Sequence, residues 1–269
     1  MCRRDLSRRR FFPAPKPNSV SLSSKQSCMI LTAENLTKSF GGLRAVGGVS
    51  FALAENEILG VAGPNGSGKS TLFNILTNIP FPADSGRVVF DGREIQNVAP
   101  EEVSRSGIAR TFQRESIFTS LSAIDNVLVA IEHSGKRQGQ RENEIAAVAV
   151  LDMVGFPQTL HNAPTATLPI FFRKILMIAS ALAMSPRVLL LDEPASSLTP
   201  GEIEHMKALI LGLRQRGIAI LLIEHVLPLL MSVCDRLIVL DQGRVIAQGL
   251  PSEVVADPKV IEAYLGQAR

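Results

Sequence analysis

From Ile30 onward the chain alternates short apolar runs with stretches in which apolar residues recur every three or four positions. Phe51 to Leu53 and Ile58 to Ala62 are apolar runs bounded by polar residues, the pattern of strands. Lys69 to Ile79 has helical spacing and stops before Pro80, whose ring disfavours the helical conformation at the preceding residue. Arg87 to Phe90 followed by Asp91-Gly92 predicts a strand entering a tight turn. Val188 to Leu191 and Ile218 to Ile223 are continuous apolar runs, suited to strands covered on both faces. Between them Ile203, Met206, Leu209, Ile210 and Leu213 fall on one helical face that ends near Gly217. Strand, helix, strand in that order predicts a parallel sheet with a crossover helix. Residues from about 118 to 186 are helical in pattern and lack strand signals, which predicts a helical subdomain inserted in an α/β core. Val254, Val255, Ile261, Tyr264 and Leu265 predict a last helix face packed on that core.

At 269 residues and 46% hydrophobic, the chain can bury the core of one large domain, with or without a subdomain. Its uncharged apolar runs, such as Ile175 to Met184, fall short of the roughly 18 to 20 residues of a membrane helix. Cys2, Cys28 and Cys234 are too few and scattered for a disulfide framework, which fits a reducing cytosol. The net charge of +3 conceals an asymmetry. The first 28 residues hold Arg3, Arg4, Arg8, Arg9, Arg10, Lys16 and Lys25 against Asp5 alone, a net +6 that leaves −3 for the rest. The remaining domain therefore has no electrostatic bias toward nucleic acid. With three prolines and a serine cluster but no apolar stretch, residues 1–28 read as a disordered extension rather than a secretion signal. His133, His161 and His205 have no metal-ligand spacing and read as surface residues, and Lys136, Arg137 and Arg141 as a solvated loop.

GPNGSGKS, Gly63 to Ser70, follows the strand that ends at Ala62 and opens the next helix, with Thr71 just inside it. This is a phosphate-binding loop in its required strand, loop, helix context. Gly63, Gly66 and Gly68 let successive backbone amides curl around phosphate oxygens without a Cβ in the way, and Pro64, Asn65 and Ser67 complete the loop. The helix N-terminus adds partial positive charge. Lys69 is placed to reach the β and γ phosphates, and the Ser70 hydroxyl to bind Mg²⁺. VLLLDEP supplies the acidic half. A strand ending in Asp192 delivers a metal-binding carboxylate to the carboxyl edge of the sheet, and Glu193, redirected by the turn at Pro194, can polarise an attacking water.

With these motifs the chain resembles the ATP-binding subunit of an ATP-binding cassette (ABC) transporter over residues 30 to 269. The resemblance implies a P-loop NTPase core with a parallel sheet, an antiparallel β part near the N-terminus and the helical insertion, all within residues 29–269. It implies ATP and Mg²⁺ as ligands and a peripheral station on the cytoplasmic face of a membrane. The implied partners are transmembrane permease subunits and, indirectly, a substrate-binding protein, with no nucleic acid. Phe40 in KSFGG stands where an aromatic stacks on adenine. Gln113 in ARTFQ matches the glutamine that touches Mg²⁺ and water, and His225 in LLIEH the histidine that contacts the γ phosphate. Ser197, Leu198 and Thr199 fall in the loop that meets the partner ATPase, although an aspartate or asparagine is common at the position of Thr199. GGLRAV, GIARTFQ, IEHV and DPKVIEAYLG resemble the branched-chain amino-acid importer ATPases. SIFTSLSAIDNV also echoes lipopolysaccharide-export ATPases, which leaves a lipid exporter open. A soluble DNA-repair or translation ATPase of the family would carry a long coiled coil or a second cassette, and the chain has neither.

One stretch departs from the family. Where the resemblance implies a polar, glycine-rich signature, residues 168 to 172 read LPIFF. Pro169 replaces the serine and Phe171 fills a glycine position, so a hydroxyl donor is lost and bulk is added. Because each signature serves the nucleotide of the opposite subunit, the resemblance implies pairing with a second, different ATPase subunit. A catalytically silent, ATP-binding paralogue is the alternative.

Overall fold

The computed structural model describes residues 28–113, 116–135 and 139–265. The basic extension, except Cys28, and Lys136 and Arg137 lie outside the described residues. In chain order the first half holds β1 (Met29–Phe40), β2 (Leu43–Ala54), β3 (Ile58–Ala62), α1 (Lys69–Thr77), β4 (Ser85–Phe90), β5 (Arg93–Glu94), α2 (Pro100–Ser106), β6 (Ile108–Arg110), α3 (Ala123–His133) and α4 (Gln140–Met153). The second half holds α5 (Ile170–Ala183), β7 (Val188–Asp192), α6 (Pro200–Gln215), β8 (Ala219–Ile223), α7 (Leu227–Val233), β9 (Arg236–Asp241), β10 (Arg244–Gly249), α8 (Pro251–Val255) and α9 (Pro258–Leu265).

The strands form two sheets. An antiparallel one has the order β2-β1-β4-β5. The other runs β10-β9-β3-β8-β7-β6, parallel throughout except for β10. Every residue of β3, β7 and β8 is buried, as their unbroken apolar runs require. Alternate side chains feed two separate cores. Leu59, Val61, Leu190 and Leu221 meet Leu72, Phe73 and Leu76 of α1 and the antiparallel sheet. Ile58, Leu189, Leu191 and Ile220 meet Leu176 and Leu182 of α5 and Met206 and Ile210 of α6. At about 1.5–3 kcal/mol per fully buried Leu or Ile side chain, the two apolar layers are the main force fixing the central sheet between the helices. Since β9, β3, β8, β7 and β6 run the same way, their carboxyl ends open along one edge, and the segments leaving Ala62, Arg110, Asp192 and Ile223 meet there.

Four sequence expectations need correction, the first being that Arg141 stands in the first turn of α4 rather than in a loop. Helix α1 ends at Thr77 rather than Ile79, because Asn78 turns into the left-handed region (φ 57°) ahead of Pro80. The C-terminal apolar face is carried by two short helices, since Pro258 lacks the N–H that would continue α8. Val254 and Val260 are buried, whereas Ile261, Tyr264 and Leu265 are exposed. His161 is buried, its ring 6.1 Å from that of Phe156, while its backbone carbonyl accepts from the Ile124 amide. Between residues 118 and 186 the described regular structure is helical apart from a single bridge between Ser122 and Pro164, and α3, α4 and α5 pack on one another. Among the described residues no helix is long and apolar enough to cross a membrane.

Candidate functional site

The loop after β3 takes positive φ at Gly63, Gly66 and Gly68, which only glycine adopts without strain. At Gly63 and Gly68 a Cβ would in addition overlap the backbone carbonyls of Leu240 and Ala45. The Lys69 ammonium bridges the loop, donating to the carbonyls of Gly63 (2.8 Å) and Pro64 (2.9 Å). Burial pushes the ammonium below its ordinary range, opposed by the negative charges of Glu193 and Asp192. Ser67 is buried, and its carbonyl accepts from the Gly243 amide, fastening the loop to the β9–β10 turn.

Strand β7 delivers Asp192 to the sheet edge, almost wholly buried. Its Oδ2 pairs with the buried Arg110 guanidinium at 3.0 Å, and Arg110 also donates to Asn74 Oδ1 (2.7 Å) and lies over the Phe112 ring at 4.8 Å. Asp192 Oδ1 is buried with no hydrogen-bond partner among the described residues. Burial pushes the Asp192 carboxyl up, and Arg110 acts in the opposite direction. Glu193 follows in a left-handed conformation (φ 51°) that turns its side chain away from the strand direction. Its carboxylate is held from two sides: Gln113 Nε2 donates to Oε2 at 3.0 Å, and His225 Nε2 lies 2.7 Å from Oε1. A carboxylate only accepts, so in this contact Nε2 carries the hydrogen.

These pieces meet in a cavity of about 720 Å³. Phe40, Asn65, Gly66, Gly68, Lys69, Ser70, Thr71, Gln113, Glu193 and His225 line it, so ten of the sequence-expected residues share one space. Gly63, Pro64 and Ser67 form the loop behind Lys69, and Asp192 lines an adjoining cavity of about 190 Å³ with Gln113 and Lys174. Phe40 is partly exposed and stands edge-on to Phe81, with the Lys38 ammonium over both rings. Ser70, Gln113 and the orphaned Asp192 oxygen are hard oxygen donors of the kind that suits a small divalent cation. A loop of curled amides ending in a helix N-terminus suits a polyphosphate.

Motif reading missed several residues. Arg44 and Gln242 also line the cavity, and nothing in their local sequence marks them. Glu224 is buried and joins two loops, accepting from the Ala195 amide through one oxygen and from the His225 (3.0 Å) and Val226 (3.4 Å) amides through the other. Lys174, in the second turn of α5, donates to the Glu193 carbonyl (3.0 Å) and to Ser196 Oγ (2.8 Å). Thr199 is the N-cap of α6 in a reciprocal capping box with Glu202, a pattern that T-P-G-E displays in the sequence. The first turn of α5 is half-buried: Phe171 packs edge-on to Phe172 (5.3 Å between ring centroids) and lies 6.0 Å from His205 of α6. Pro169 precedes that turn without a side-chain cap.

Known proteins are similar to this chain in sequence and in fold. The family described as ABC transporter matches residues 46–196, and that described as branched-chain amino acid ATP-binding cassette transporter matches residues 244–269. The high-affinity branched-chain amino acid transport ATP-binding protein BraF of Pseudomonas aeruginosa is 38% identical over 253 residues, covering 89% of this chain and 98% of the relative. LivG of Escherichia coli K12, with the same description, is 34% identical over 253 residues, again covering 89% and 98%. Among solved structures, the ADP conformation of an ATP-binding cassette of an ABC transporter superposes with a TM-score of 0.82 at 32% identity, covering 90% of this chain and 100% of that one.

Proposed function

The chain belongs to the ABC transporter ATPase family, and from that premise we propose that it is the ATP-hydrolysing motor subunit of an importer for branched-chain or related hydrophobic amino acids. The observation that carries the ATPase part is the convergence of the phosphate loop, Gln113, Glu193 and His225 on one cavity. The substrate class is supported by the match of residues 244–269 and by the names of the relatives.

In this reading residues 29–269 are one nucleotide-binding domain, with residues 118–186 as its helical subdomain. Phe40 stacks on the adenine, and the residues from Gly63 to Thr71 hold the phosphates, Lys69 exchanging its loop carbonyls for phosphate oxygens. Ser70, Asp192 and Gln113 hold Mg²⁺, which when bound neutralises charge developing on the phosphates. Glu193 polarises the attacking water, with Gln113 and His225 fixing its carboxylate. The protein docks peripherally on transmembrane permease subunits at the cytoplasmic face of the membrane and works with a substrate-binding protein.

The first turn of α5 supports a finer statement. With Pro169 and Phe171 in place of a hydroxyl and a bare backbone, this chain offers a poor phosphate site to a partner, while its own loop, Glu193 and His225 line one cavity and Asp192 the adjoining one. It therefore pairs with a second, different ATPase subunit, giving one competent and one degenerate site. The same turn favours a second reading, an ATP-binding subunit that does not turn over. Calorimetry of the chain with ATP, with and without Mg²⁺, tests the binding site. Phosphate release by the chain alone and in its complex with permease and partner ATPase separates the two readings, and leucine uptake by cells carrying that complex tests the substrate. Vigorous hydrolysis by the isolated chain would sink the asymmetric pairing.

A further inference from the structure

The first glycine of the phosphate loop is held at both ends of its residue. Its carbonyl accepts from the Lys69 ammonium at 2.8 Å, and its amide donates to the Tyr264 hydroxyl at 2.8 Å. Tyr264 lies 201 residues away, in α9, within the C-terminal segment matched by the branched-chain family and outside the residues matched by the general one. The geometry leaves Gly63 little freedom otherwise: at φ 144° it packs against the β9 backbone so tightly that a Cβ would overlap the Leu240 carbonyl. Helix α9 is weakly anchored by comparison. Of its eight residues only Val260 is buried, while Ile261 and Leu265 are exposed. The Tyr264 ring is itself partly exposed, so its hydroxyl reaches the loop from a helix that can undock at small cost.

We infer that Tyr264 is a positioning residue for nucleotide binding: its hydroxyl fixes the Gly63 peptide and, through that carbonyl, the Lys69 ammonium, so that docking of α9 and filling of the phosphate loop favour each other. The inference rests on the ATP-binding reading of the loop and adds a residue to it. The coupling must be reciprocal. Loss of the hydroxyl weakens nucleotide binding, and bound nucleotide holds α9 down.

The chain contains one tyrosine and no tryptophan, so its intrinsic emission reports on Tyr264 alone. The experiment uses the full chain and two variants, Tyr264→Phe and Val260→Ala. ADP with Mg²⁺ is titrated by calorimetry and by tyrosine emission, with the Tyr264→Phe protein as the optical blank. In the unsubstituted protein the emission should change along the calorimetric isotherm. Tyr264→Phe keeps the ring and should bind ADP about 3- to 10-fold more weakly, the range expected for one hydrogen bond to a backbone amide. Its melting temperature without nucleotide should fall by a few degrees at most, since the hydrogen bond is already made in the nucleotide-free protein, and its nucleotide-induced rise should shrink as well. A purely structural tyrosine would lower the melting temperature and leave the affinity alone. Val260→Ala loosens the helix but keeps the hydroxyl, and should weaken ADP binding while enlarging the emission change. Affinities within about twofold of the parent for Tyr264→Phe, or emission that stays flat through a calorimetrically verified saturation, would overturn the inference. Failure of the unsubstituted chain to take up ADP would instead overturn the ATPase reading beneath it.

Discussion

Pro169→Ser with Phe171→Gly should make this protein a better ATPase and a less stable one. The serine restores a hydroxyl at the N-cap of α5, where the structure has none, and Ser at such a position stabilises a helix by about 1 kcal/mol. The glycine acts in the other direction. In a helix it costs about 1 kcal/mol relative to alanine, and it removes a ring that packs on Phe172 and His205, the aromatic contact alone contributing about 0.5–1.5 kcal/mol. The net loss is about 0.5–1.5 kcal/mol, a fall in Tm of roughly 1–6 °C for a domain of this size. Function should move oppositely. One restored donor to developing phosphate charge is typically a factor of about 10² to 10³ in rate, and in the isolated chain two copies can then complete each other's sites. The assays are thermal melting and steady-state phosphate release by the purified chain, wild type and double variant in parallel. If the variant melts within that window and binds ATP yet hydrolyses it no faster than its parent, the account of the α5 turn as a lost phosphate site is wrong.

Three further outcomes follow from the geometry. Glu193→Gln replaces one acceptor oxygen by an amide facing either Gln113 Nε2 or His225 Nε2, both donors in the present contacts. Turnover of the complex should drop by about 10² to 10⁴, with ATP affinity by calorimetry changed only a few-fold. Glu224→Ala should strip three backbone amides of their acceptor, those of Ala195, His225 and Val226. A loss of about 2–4 kcal/mol in denaturant unfolding is expected, with reduced turnover as His225 loosens, and an unchanged midpoint would refute the linking role of this carboxylate. The Cys234 thiol is pushed upward, mainly by burial and then by the charges of Asp235 and Glu224, so at pH 8 it stays protonated and a poor nucleophile. In a chain with Cys2 and Cys28 replaced by serine, thiol-reagent labelling of the half-buried Cys234 should therefore be much slower than that of a free thiol at the same pH, and labelling at the free-thiol rate would contradict the upward shift.

Most of the fold and most of the candidate site were legible because they depend on residue types at short, fixed spacings. Continuous apolar runs require strands covered on both faces, and β3, β7 and β8 are such strands. Glycine is required where a Cβ would strike backbone, as at Gly63 and Gly68. The contacts that escaped notice join residues remote in sequence: Arg110 with Asp192 across 82 positions, Glu224 with Ala195 across 29 and Tyr264 with Gly63 across 201. No spacing announces such pairs, because the sheet order, not the local chain, brings them together. His161 was misjudged for a related reason, since burial of a loop residue depends on which helices close over it.

The same long-range wiring bears on the asymmetry of the proposed complex. In the proposed complex helix α5 would serve two sites in different ways: its first turn would be offered to a partner, while Lys174, one turn later, grips the Glu193 carbonyl and Ser196 of its own chain. On that reading Pro169 and Phe171 remove groups offered to the partner, while the Lys174 contact to the turn that carries Glu193 is kept. The inward contacts of α5 also include Phe172 on Phe156 and the buried face of Ile175, Leu176 and Ile178, none of which needs the lost hydroxyl or glycine. An aromatic first turn even adds packing against α6 that a glycine cannot supply. In the proposed complex, a chain without outward phosphate donors but with this inward grip would hydrolyse ATP provided another subunit supplies those donors. That is the physical reason for favouring a working heterodimer over a silent paralogue.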